Sequence, residues 1–112
     1  MSAAQHTPGP WAYADAAWGA TNTACTVYGA AQLSQPVADV LKTANAQANV
    51  RLIAAAPDLL AALVEAIEDS EEVLAARVAS LGENYRPLTL KAMREDIAKG
   101  RAAIAKATGS TT

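Results

Sequence analysis

The side chains best able to do chemistry in this 112-residue chain are few and scattered. His6 is the sole histidine, and no Cys, Asp or Glu stands near it at the spacing a metal ion needs. A Ser-His-Asp triad would have to recruit that residue from the N-terminal tail. Cys25 is the sole cysteine. With no further histidine to serve as its base, it reads as a small packed strand residue rather than a nucleophile. The sequence therefore predicts no catalytic centre, no metal site and no cofactor.

Two charged groups remain. Glu65, Glu68, Asp69, Glu71 and Glu72 form the densest cluster. Paired carboxylates can hold a divalent cation or exchange protons, but at helical spacing these five spread around much of the circumference. They read as a solvated face that meets Lys91, Arg94, Lys99 and Arg101 across a helical hairpin in weak ion pairs. The other group suits an anion: Arg51, Arg77, Arg86 and Arg94, with Tyr85 beside Arg86. A tyrosine ring next to a guanidinium could stack a nucleotide base and grip its phosphate. The plainer alternative is a loop anchored by the tyrosine, its arginine in solvent. Arg51, Arg77, Tyr85, Arg86 and Arg94 are thus the candidate ligand-binding residues. Trp11, Tyr13, Trp18 and Tyr28 read as sheet-face packing, and no phosphate-cradling glycine motif is present.

The elements that must position these residues follow from pattern. Residues 1–9 and 108–112 read as tails around a single α+β domain, 10–107. From Pro10 to Leu41 the chain carries two charges, Asp15 and Asp39. Trp11–Ala16, Cys25–Tyr28 and Val37–Leu41 are rich in aromatic and β-branched residues, punctuated by Gly19, Asn22, Gly29, Ser34 and Pro36. The reading is a three-stranded antiparallel meander, too small to stand alone, with one face covered by helix. Trp11 and Tyr13 share a face by the two-residue period.

Residues 44–107 read as helical. Ala44–Ala56 carries Val50 and Ile53 on an apolar side, and Pro57 with Asp58 behind it predicts a kink or restart. From there a stripe runs through Leu60, Leu63, Ile67, Leu74, Val78 and Leu81, stopped by Gly82. A loop, Glu83–Leu88, holds Pro87, and Thr89 offers an N-cap for a last helix. That helix repeats the stripe at Leu90, Met93, Ile97, Gly100 and Ile104. A short connection forces the two stripes together antiparallel, with Gly100 marking a close backbone approach. The fold class is a small N-terminal antiparallel β-meander, then a helix, then a long C-terminal antiparallel helical hairpin.

Composition bounds the function. The apolar residues are mostly alanine, with no Phe, two Trp and three Tyr, so a monomer's core would be thin and self-association through the hairpin is expected. The net charge of −2 argues against direct DNA binding. The N-terminus lacks the pattern of a signal peptide, and Leu52–Val64, the longest apolar run, is broken by Pro57 and Asp58. No membrane span is expected, and the reading is a cytoplasmic protein.

"HTPGPW" (His6–Trp11), "NVRLIAAAPDLLAAL" (Asn49–Leu63) and "RAAIAKATG" (Arg101–Gly109) together resemble a group of small phage and prophage proteins of unassigned function. The resemblance transfers no functional residue. It implies an accessory phage protein in the host cell cytoplasm, and proteins of this kind often act against host defence. Some are homo-oligomeric sponges for cyclic nucleotide immune signals, one type pairing an N-terminal sheet with a C-terminal helix pair. The leading expectation is such a non-catalytic, nucleotide-sequestering homo-oligomer. The alternatives are a protein-binding, anti-CRISPR-like inhibitor, whose acidic cluster would imitate phosphates, and a plain structural or interaction module.

Overall fold

A computed structural model describes residues 6–16, 21–29 and 36–109. Trp18, Gly19 and Ser34, and the tail residues 1–5 and 110–112, lie outside the described residues. The chain order is β1 (Trp11–Asp15), β2 (Thr23–Gly29), β3 (Pro36–Leu41), α1 (Ala46–Leu81) and α2 (Pro87–Thr108). The α+β class and the meander expected from the strand pattern are both found. Two compact units divide the chain, His6–Leu59 and Leu60 onward, so the boundary falls inside α1 just past Pro57.

In the first unit β2 is central, paired antiparallel to β1 on one edge and β3 on the other. Its burial alternates: Cys25, Val27 and Gly29 face inward, as a half-covered strand requires. Register sets Val40 opposite Cys25 and Trp11 opposite Gly29. Ala46 and Val50, four apart on the first turns of α1, complete the buried cluster, with Ile53 and Ala54 packed against it. The helix is thus the cover that the meander needs. Trp11 and Tyr13 stand opposite Gly29 and Val27, two inward positions of β2, so they share a face as predicted, Tyr13 being 43% exposed there. On the outer face Thr26 donates to Asp39 across the registered pair at 2.8 Å.

His6 to Gly9, placed in the tail by the sequence reading, lie against this unit. The Trp11 indole N–H donates to the Thr7 carbonyl at 2.9 Å, and the His6 ring meets Trp11 edge-on at 6.0 Å. A Cβ on Gly29 would overlap the Thr7 methyl, and one on Gly9 would lie 2.9 Å from Pro57 Cβ.

Pro57 is where expectation and structure part. The sequence predicts helical structure continuing through Pro57 with a kink or restart, and it does continue, but with no restart: Pro57 lies within the single helix α1. One proline removes a single i→i−4 bond, to the Ile53 carbonyl, and the helix runs on past it to Leu81. Its ring packs beneath Gly9, which supplies contact in return.

In the second unit the Leu60–Leu81 part of α1 returns through a turn into α2. Gly82, at φ 84°, ends α1 with its N–H on the Val78 carbonyl at 2.9 Å, as expected of a helix terminator. The start of α2 is corrected: Pro87, read as a breaker within the loop, is the first helical residue, and Arg86 rather than Thr89 is the N-cap. Pro has no N–H to leave unpaired there and its φ is already helical. Arg86 takes left-handed angles (φ 50°, ψ 60°) with no side-chain cap, and its carbonyl accepts from the Thr89 and Leu90 N–H groups. Contacts run antiparallel, from Glu83 with Arg94 to Glu71 with Arg101 to Ile67 with Gly100. Gly100 is buried, and a Cβ there would overlap Ile67 Cδ1 and lie 2.6 Å from its Cγ1. The close approach predicted from this glycine is real.

Candidate functional site

The turn between α1 and α2 gathers most of what could contact a ligand. Tyr85 follows Gly82 in a tight reversal, its N–H on the Gly82 carbonyl at 3.3 Å. The left-handed Arg86 then swings its guanidinium over the Tyr85 ring, 5.7 Å from the centroid. Glu83 accepts from Arg94 through both carboxylate oxygens at 2.8 Å, which clamps the turn to the first part of α2. Both partners are about half exposed, so water screens the pair and it holds geometry more than it stabilises.

The five candidates are distributed unevenly. Tyr85 and Arg86 are together and exposed. Arg94 sits near them in the chain reversal but is engaged by Glu83. Arg77 is half-buried on α1, with no ion pair among the described residues, and Arg51 is exposed in the other unit. No shared anion pocket is formed by the set as a whole among the described contacts.

Sequence reasoning missed the apolar part of this tip. Leu88 is 81% exposed, Leu81 50% and Tyr85 45%. Leu81 was expected on the packed stripe; it faces solvent because the chain reverses immediately after it, and Leu90 is the first buried residue of α2. The missed signal is Pro87 followed by Leu88: a proline at the first helical position displays the next side chain in an uncovered first turn.

Along the hairpin, the acidic cluster divides. Glu71 accepts from Arg101 through both oxygens, one contact at 3.2 Å, which is the cross-hairpin pair expected. The Arg101 hydrogen bond holds the Glu71 carboxyl below its ordinary value; desolvation opposes this, and the Arg101 charge adds to it. The same bond raises Arg101. Glu65, Glu68, Asp69 and Glu72 are exposed, with no ion pair among the described residues. Arg94 pairs with the turn rather than with the cluster.

A groove flanks the helix seam on each side. One, about 510 Å³, is lined by Leu74, Ala75, Val78, Ala79 and Ile97, with Glu71, Glu83 and Arg94 at its rim. The other, about 270 Å³, has Ile67, Val73, Met93 and Ile97 on its floor and the carboxylates Asp69 and Asp96 along its sides. Among the described residues no three His, Cys, Asp or Glu side chains converge as a metal ion would require. Nor is any described helix long and apolar enough to cross a membrane.

The family model described as Salmonella phage P22 protein Y8K6 matches residues 1–111. The chain belongs to this family. The resemblance read from His6–Trp11 and Asn49–Leu63 therefore pointed to the right kind of protein, a phage protein. No curated protein and no solved structure matches the chain. In this member of the Y8K6 family those two segments meet, Gly9 against Pro57. That packing accounts for Gly9, Trp11, Val50 and Pro57, while Arg51, Leu52 and Leu59 of the same segments are exposed.

Proposed function

We propose that the protein is a non-catalytic phage accessory protein that counteracts host defence by occupying a host protein's surface with its hairpin tip. The observation that carries this reading is the exposure of Leu88, Leu81 and Tyr85 around Arg86, on a turn held by the Glu83–Arg94 clamp. Aromatic and arginine side chains on a preorganised turn are the usual anchors of protein interfaces. Family membership supplies the phage setting. Capture from a host lysate with the full chain tests it. A stoichiometric protein partner is expected, and Leu88→Ser with Tyr85→Ala should abolish its recovery. Recovery undiminished by these changes, or no partner at all, overturns the reading.

A second reading rests on a different observation. The Arg86 guanidinium has no carboxylate partner among the described residues and lies over the Tyr85 ring, an arrangement able to stack a base and pair a phosphate. On this reading the protein sequesters a nucleotide-type immune signal. Calorimetric titration with a panel of cyclic nucleotides separates the two: binding heat lost in Arg86→Ala favours the nucleotide, and no heat with any member removes it.

A further inference from the structure

The two grooves beside the helix seam differ in one respect that decides what each can hold. Asp69 and Asp96 in the smaller groove have no ion-pair partner among the described residues. Two copies meeting there would bring four unpaired carboxylates together and strip them of water, which is unfavourable. At the larger groove both rim carboxylates are already neutralised within the chain, Glu71 by Arg101 and Glu83 by Arg94.

We propose that the larger groove, floored by Leu74, Val78 and Ile97, is the face through which two copies of this chain associate back to back. The arrangement of its charges is self-complementary. On α1, Glu71, Ala75 and Ala79 follow at four-residue spacing along one side, and Glu83 comes next in that count at the turn. The midpoint of Glu71 and Glu83 is position 77, which is also the midpoint of Ala75 and Ala79. A two-fold axis at that height sets α1 antiparallel to its copy. It places the Glu71–Arg101 pair of one chain beside the Glu83–Arg94 pair of the other, so each end holds two carboxylates and two guanidiniums.

The same axis lays Ala75 against Ala79 of the second copy, where small side chains let the helices close over the apolar floor. Leu74, Val78 and Ile97 are only half covered within the single chain, so they have area left to bury. The product is a four-helix arrangement of two hairpins. This goes beyond the tip reading and does not depend on it, since Tyr85, Arg86 and Leu88 are not part of the groove lining.

Sedimentation of the full chain at micromolar concentration tests the proposal, with far-UV circular dichroism to verify helix content. The wild type is expected at twice the 11.5 kDa chain mass. Ala75→Glu with Ala79→Glu should return it to one chain mass, whereas Val73→Glu in the other groove should leave the dimer intact. Mixing the double-Glu protein with Ala75→Lys, Ala79→Lys protein should restore the dimer, because each altered position faces the other across the axis. A monomeric wild type, dissociation by Val73→Glu, persistence of the double-Glu dimer or failure of the mixture to recover would each overturn it.

Discussion

The two units of this chain solve the same shortage of large apolar residues in different ways. In the sheet unit, alternation on β2 turns Cys25 and Val27 to one side, and Val40, Ala46 and Val50 close over them from two other elements. A sheet neighbour and a covering helix together make a small core complete. In the hairpin, Ile67, Leu90 and Gly100 are the buried positions, while Leu74, Val78, Met93 and Ile97 stay half covered. Two helices share one seam, and a seam has open flanks. The lesson is that burial depends on how many elements surround a residue, and less on how many apolar residues the sequence carries.

The sharpest way to break that contrast is at the hairpin's closest contact. Gly100→Val should destabilise the protein by about 3 kcal/mol, because it forces side-chain atoms into the space of Ile67. Urea unfolding measures this, and adding Ile67→Ala should recover part of the loss. A neutral Gly100→Val would mean that the seam is loose.

Val27→Ala, which empties a fully buried position of the sheet unit, should cost about 2 kcal/mol by the same measurement. Hydrogen exchange sharpens the comparison. Amides of β2 around Cys25 and Val27 are expected to exchange more slowly than those of the exposed turn at residues 82–86. Faster exchange in β2 would reverse the ranking of the two regions.

A smaller effect is expected at the N-terminal strap. Trp11→Phe keeps an aromatic ring but removes the N–H bonded to the Thr7 carbonyl together with part of the indole's packing, for a loss of at least about 1 kcal/mol in thermal unfolding. No change would show that Thr7 is held by packing on Gly29 alone.

The smallest effect is electrostatic and carries a sign. The Arg101 hydrogen bond depresses the folded-state Glu71 carboxyl below the 4.5 of a free glutamate. Its contribution is therefore present above that value and lost as pH falls through the depressed folded value. The raised Arg101 value lies far above this window and adds no slope within it. Glu71→Gln should flatten the stability profile slightly on the acid side and leave neutral pH nearly unchanged, because both groups are solvent-exposed. A steeper acid profile in the variant would contradict this assignment.

Much of the fold was legible residue by residue. The strands were found within about two residues at their ends, as such boundaries usually are. Gly82 and Gly100 each meant what their chemistry implies. Pro57 starts no new helix and Pro87 does, since proline disfavours a helix interior yet suits a helix start, and only neighbours decide which rule governs. Of the candidate site, the pairing of Tyr85 with Arg86 was visible as adjacency in the chain. The capture of Arg94 by Glu83 was not, since it needs the turn to bring positions 11 residues apart together.

The sequence by itself determined the strands, the helical stripes and the turn at Gly82, because these depend on side-chain period and on local backbone preference. Tertiary structure decided what stays uncovered. Leu81 and Ile67 stand on the same stripe, and the second is buried only because Gly100 lets α2 come close. Glu71 and Glu68 belong to the same acidic run; Glu71 accepts hydrogen bonds from Arg101, whereas Glu68 acts on that guanidinium through charge alone. Period is written in one dimension, whereas exposure and pairing depend on which element arrives from the far side.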